Sequence, residues 1–141
     1  MKTKSLYLKI FAALSYIIMI FVNYLANAVP LNGYTTGELA DMYPNLFTPV
    51  GFTFSIWGII YLLLLIFLIY YIIASSKIID PIKKEKVNNI SLLFIITSLI
   101  NAAWIFAWHY RFVGLSVLLM LGFLFSLIRV ADIVNSLSLT K

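Results

Sequence analysis

Asn101, Trp104 and Trp108 fall at i, i+3 and i+7 of one apolar stretch, with Thr97 one turn earlier. On a helix these positions share a face and form a polar–aromatic stripe. A second stretch offers a counterpart, where Phe54, Trp57, Gly58 and Tyr61 recur at helical spacing. Rings supply stacking faces, and indole N–H and phenol O–H groups supply donors at the rim. Gly58 leaves a gap that another backbone or a flat molecule could approach closely. Turned toward each other, the two stripes would suit a large, flat, mainly apolar guest with a polar edge. The plainer alternative is packing. An amide in hydrocarbon must find a partner, and Asn101 could bond across to Asn23 or Asn27 as interhelical glue worth about 0.6–2 kcal/mol.

Few other residues invite chemistry. There are no cysteines, so disulfides, thiol nucleophiles and thiolate metal sites are excluded. His109 is the single histidine. A haem ligand or general base would have to face a cavity. At the end of an apolar stretch beside Tyr110 and Arg111, it is expected at the interfacial surface instead, with Arg111 meeting lipid phosphate. No acidic pair lies within an apolar stretch, and no Ser/His/Asp set, metal-ligand cluster or phosphate-binding glycine loop is present. The chain is therefore expected not to be an enzyme and to require no cofactor. A transporter would normally show intramembrane charges or broken helices. A small transporter or channel remains an alternative class.

The elements that must position the stripes follow from composition. Of 141 residues, 63% are apolar and 11% charged, and the mean hydropathy is +1.04. Soluble domains are about half apolar and about a quarter charged, so too few polar residues exist here to build a wetted surface. The expected fold is all-α, a polytopic transmembrane bundle forming one domain over 1–141. Its spans are expected at about 8–28, 52–74, 90–108 and 112–131. A cleaved signal peptide is the alternative for the first span, since Ala26-Asn27-Ala28 resembles a cleavage site. The stretch is longer than a usual leader core, and Asn23 and Asn27 share one face, which suits a retained, packed helix. Residues 29–51 form the one long loop. Thr35-x-x-Glu38 within it has the capping-box pattern and predicts a short helix over 36–42. Gly122-x-x-x-Ser126 reads as a small-residue packing seam, either inside the bundle or between the protomers of a homodimer.

Charge sets the topology. Net charge is +5, and all the lysines but Lys141 lie before the first span and between the second and third, at Lys2, Lys4, Lys9, Lys77, Lys83, Lys84 and Lys86. The first loop carries only Glu38 and Asp41. By the positive-inside rule the N-terminus is cytoplasmic and four spans are self-consistent. The basic excess thus reports topology, not nucleic-acid binding. With no cysteines and lysine-rich inner flanks, the chain is compatible with a bacterial plasma membrane.

Residues 44–61 carry a resemblance. Pro44, Pro49, Trp57, Gly58 and Tyr61, followed in order by Asn101-Ala102-Ala103-Trp104, further aromatics and Gly114, resemble the TspO/translocator protein family. These are the tryptophan-rich sensory proteins, also called peripheral benzodiazepine receptor-like. The match covers roughly 44–114, with the later glycine displaced by about one residue. It implies a long first loop folded over a ligand pocket, and ligands such as protoporphyrin, haem, cholesterol or isoquinoline carboxamides. It also implies a ligand-binding set of Pro49, Phe54, Trp57, Tyr61, Asn101, Trp104 and Trp108. The sequence departs from the family in having four spans where the family has five, either as a short form or as a piece of a longer chain. It also lacks the family's acidic residue in the fourth span, where residues 118–121 are apolar. The reading is a protein that binds a planar hydrophobic molecule, a tetrapyrrole or sterol-like compound, for sensing, handling or transport. A structural or assembly subunit is the alternative.

Overall fold

The computed structural model describes residues 2–43 and 55–138. Pro44, Pro49 and Phe54, expected at the head of the second span, lie outside the described residues. Among these residues five α-helices follow one another: α1 (Lys2–Ala28), α2 (Thr36–Asp41), α3 (Ile56–Ala74), α4 (Pro81–His109) and α5 (Val113–Ser138). All but α2 are long and apolar enough to cross a membrane. With no soluble surface in the composition, the chain is an integral membrane protein with four such helices among the described residues.

α4 is the spine of the bundle. It packs against α1 on one side and α5 on the other, while α3 leans mainly on α1. Half of the apolar window of α4 is buried, against 11% for α3 and 6% for α5. Small residues bring the backbones of α1 and α4 together. Val22 and Ala26 meet Ala102 and Ile105 near one end, with Leu31 and Trp104 closing over them. Toward the other end Ala12, Leu68 and Phe94 form a second knot, joined by Tyr16 and Phe67. Three core hydroxyls are satisfied within their own helices: Ser15 donates to the Ala12 carbonyl (3.0 Å), Thr97 to Phe94 (3.0 Å) and Ser126 to Gly122 (2.9 Å). In hydrocarbon that is the cheapest place for a hydroxyl to go.

Element boundaries depart from expectation at two places. The helix that carries the third span begins at Pro81, earlier than the expected start of that span at about 90. Asp80 caps the helix, its Oδ1 accepting from the Ile82 (2.9 Å) and Lys83 (3.4 Å) amides. Pro81 at the first turn contributes a preset φ and lacks only an N–H that would be orphaned anyway. The polar stretch up to 89 is thus helix, and the expected loop shrinks to 75–80. At about 1.5 Å per residue, the 29 residues of α4 reach about 43 Å, well beyond a hydrocarbon core of about 30 Å. Its lysine-bearing start therefore projects to the headgroup level. The fourth helix likewise runs past 131 to Ser138.

The small-residue seam lies inside the bundle. A Cβ on Gly122 would meet Ile100 Cδ1 at 3.8 Å, which places Gly122 against α4. Ser126, one turn on, is 6% exposed.

The α4–α5 turn is tight. The Arg111 amide donates to Trp108 O (3.0 Å) and the Phe112 amide to Ala107 O (2.8 Å), the paired bonds of a Schellman ending. Arg111 takes the left-handed position with φ 61°, where glycine is usual and another residue costs about 1–2 kcal/mol. Its guanidinium lies 5.6 Å over the Tyr34 ring, and Nη2 reaches Met42 Sδ at 3.4 Å. Arg111 therefore fastens the first loop, where lipid phosphate had been expected as its partner.

Candidate ligand site among α1, α3 and α4

The long helices alternate in direction, so the end of α1, the start of α3 and the end of α4 share one end of the bundle. The described part of the first loop, residues 29–43, folds over that end. The Thr35–Glu38 capping box forms as the sequence predicts: the Thr35 amide donates to Glu38 Oε2 (2.7 Å), and the Glu38 amide to Thr35 Oγ1 (3.3 Å). The Thr35 amide foremost, and then the Thr35 hydroxyl, which donates to Glu38 Oε2 (2.9 Å), hold the Glu38 carboxyl below its ordinary range. The box is therefore intact at neutral pH and opens only as pH falls through that lowered value. Leu39 of α2 is fully buried, and α2 rests on α4.

Beneath this loop lies a half-open cavity of 330 Å³. Asn23, Tyr24 and Asn27 wall it from α1, Thr36 from α2, Trp57, Gly58 and Tyr61 from α3, and Trp104 and Ile105 from α4. Its size is at the lower end of the roughly 300–1,000 Å³ typical of small-molecule sites. At Gly58 the wall is open among the described residues, since a Cβ there would meet none of their atoms within 4 Å.

The aromatic residues form a continuous ladder. Tyr61 and Trp57 stack at 6.1 Å and 28°, Trp57 and Trp104 at 6.4 Å and 28°, and Trp104 and Trp108 at 6.2 Å and 13°. Tyr43 then tilts onto Trp108 at 5.8 Å. These separations lie within the range of about 4.5–7 Å where ring pairs attract beyond simple area burial. The ladder crosses from α3 to α4, so it ties together two helices that otherwise touch little.

A polar clasp lies beside it. Tyr61 O–H donates to Asn23 Oδ1 (2.7 Å), and Asn23 Nδ2 donates to Asn101 Oδ1 (2.8 Å) and to Met19 O (2.9 Å). Asn27 Nδ2 donates to Asn23 O (2.9 Å), and Tyr16 O–H to Tyr61 O (2.9 Å). One amide on α1 therefore links α3 and α4. The packing alternative weighed for Asn101 is realised, with Asn23 as the partner.

The expected site residues divide accordingly. Trp57, Tyr61 and Trp104 line the main cavity. Asn101 does not; it lines a second cavity of 210 Å³ among α1, α3, α4 and α5, and Trp57 and Tyr61 wall both. Trp108 stands behind Trp104 and away from both. Its Nε1 is buried without a hydrogen-bond partner among the described residues, as is Thr36 Oγ1. Sequence reasoning missed Tyr24 and Thr36, and it took Asn23 and Asn27 only as packing residues. The one usable signal was the shared face of Asn23 and Asn27.

His109 corrects an expectation. It is 0% exposed and so does not lie on the protein surface. Its Nδ1–H donates to Ile105 O (2.8 Å), and Asn32 Nδ2 donates to the His109 carbonyl (3.0 Å). The 3-10 turn at Leu31–Gly33, with Asn32 at φ 56°, is thereby tied to the end of α4. Among the described residues no cluster of three His, Cys, Asp or Glu could hold a metal ion.

Fold and composition together define a polytopic, helical integral membrane protein with an aromatic-walled cavity under its first loop. The chain belongs to the TSPO-like protein family, whose model matches residues 9–140. No curated protein and no solved structure matches it.

Proposed function

We propose that the protein binds a large, planar, mainly apolar molecule in the cavity beneath α2, a tetrapyrrole of the porphyrin or haem type or a sterol-like compound. The outcome is sensing, handling or transport of that molecule, not its turnover. The observation that carries this reading is the open wall at Gly58 flanked by the stacked Trp57–Trp104 pair. A flat guest can lie against these half-buried rings where no side chain of the described residues intrudes. Asn23, Asn27 and Tyr24 offer polar contacts at its edge, and α2 serves as the lid. Membership in the TSPO-like family supports the same ligand class. With the lysine-bearing end cytoplasmic, the cavity lies toward the outer surface of what we take to be a bacterial plasma membrane.

The packing reading has its own observation, the Asn23–Asn101 bond, but that clasp leaves the Gly58 opening unfilled. Quenching of tryptophan fluorescence by protoporphyrin IX separates the two. The purified protein should show saturable quenching at about micromolar affinity, roughly −8 kcal/mol, and Trp104→Leu should weaken it about tenfold or more. Unsaturable quenching identical in both proteins would leave the aromatic ladder as helix packing alone.

A further inference from the structure

The opposite end of the bundle holds a cavity that the proposed ligand does not use. It measures 310 Å³ and is lined by Ser5, Leu6 and Lys9 of α1, Ser76 of the α3–α4 turn, and Lys84 of α4. Three separate elements thus bring two ammonium groups and two hydroxyls to one cleft. None of these lining residues is acidic.

The two lysines differ in state. Lys9 is held in place: its Nζ donates to the Ile72 carbonyl (2.9 Å) in the last turn of α3 and to Ser76 Oγ (2.6 Å). A cation there complements the negative end of the α3 dipole, so the charge is fixed in position before any ligand arrives. Lys84 Nζ has no partner among the described residues. The acid nearest in sequence on its N-terminal side, Asp80, is occupied by the amides that start α4. Lys86, by contrast, donates to the Ser136 carbonyl (3.1 Å). One placed ammonium, one free ammonium and neighbouring hydroxyls make a receptor for tetrahedral oxyanions. The cleft lies where α4 projects beyond the hydrocarbon core, and Leu6 on its wall is 56% exposed.

We propose that this cleft binds a phosphate group of net negative charge at the membrane surface, carried either by the headgroup of an anionic phospholipid or by a soluble phosphate. A zwitterionic headgroup fits poorly, since its ammonium would approach Lys9 and Lys84.

Native mass spectrometry of the full chain in detergent tests this with phosphatidylglycerol and phosphatidylcholine of equal chain length, on wild type, Lys84→Gln and Lys83→Gln. Lys83 carries the same charge one residue away but does not line the cleft, so it controls for diffuse attraction to anionic lipid. Phosphatidylglycerol should be retained about tenfold over phosphatidylcholine. Lys84→Gln should abolish most of that preference, about the loss expected for one charged hydrogen bond, and Lys83→Gln should leave it. Melting curves should match wild type in both variants, because Lys84 makes no side-chain bond that folding needs. A chase with millimolar inorganic phosphate identifies the source: displacement of the lipid points to a soluble phosphate, persistence to the headgroup, and both uphold the site. Equal retention of the two lipids, or equal losses in the two variants, overturns it.

Discussion

Replacing Asn23 by leucine tests the clasp that joins three helices. The change keeps the branched side-chain skeleton but deletes the acceptor of the Tyr61 hydroxyl (2.7 Å) and the donor to Asn101 Oδ1 (2.8 Å). Interhelical hydrogen bonds in membranes average about 0.6 kcal/mol and reach about 1.7. Two such bonds come to about 1–3 kcal/mol. The upper half applies here, because Asn101 is 5% exposed and its oxygen would be left without a partner in a low-dielectric interior. Tyr61→Phe removes only one of the two bonds and should cost about 0.6–1.7 kcal/mol. In the Asn23→Leu background, however, Tyr61→Phe should cost almost nothing, since its hydroxyl has already lost its partner. The coupling in that double-mutant cycle should therefore nearly equal the single cost of Tyr61→Phe. Reversible unfolding in mixed micelles, followed by tryptophan fluorescence, reads all four species. Additive costs, or an Asn23→Leu penalty no larger than that of Tyr61→Phe, would refute the clasp.

Gly58→Ala should raise the melting temperature, because a Cβ there meets no atom of the described residues within 4 Å and alanine gains up to about 1 kcal/mol in a helix. Gly58→Leu should fold equally well yet lose porphyrin quenching, since its side chain enters the cavity; undiminished quenching would move the ligand elsewhere. At the α4–α5 turn, Arg111→Gly and Arg111→Ala both lose the stack on Tyr34, but only alanine keeps the left-handed strain. Thermal melts should place Arg111→Gly above Arg111→Ala by about 1 kcal/mol, and the reverse order would refute a strained turn.

Legibility in the sequence was uneven for physical reasons. Trp57, Tyr61 and Trp104 were readable because helical spacing alone places them on stripes, and the family signature marks the same positions. Thr35–Glu38 was readable because a capping box is a local hydrogen-bond exchange. His109 misled because its neighbours Tyr110 and Arg111 look interfacial, whereas the side chain is buried and its carbonyl is bonded by Asn32, 77 positions earlier. The start of α4 misled because polar residues were read as loop, though Asp80 and Pro81 are a helix-start signal. Asn101 was placed on the right stripe, but which cavity it lines depends on how far α3 and α4 rotate about their axes, and spacing carries no such information.

By itself the sequence determined the class of molecule: with so few polar residues, only helices that satisfy their own backbones in a membrane were open to it. It also determined the count of long apolar helices, the lysine asymmetry between their ends, and the aromatic stripes, since each depends on composition or local periodicity. Only the tertiary structure decided that Asn23 is the hub of the polar clasp, that Tyr43 and Trp108 extend the ladder, and that Gly122 faces α4. It alone brought Lys9 and Lys84 to one cleft. Those outcomes rest on contacts between residues distant in the chain, which depend on how the helices dock and not on the order of residues within any one of them.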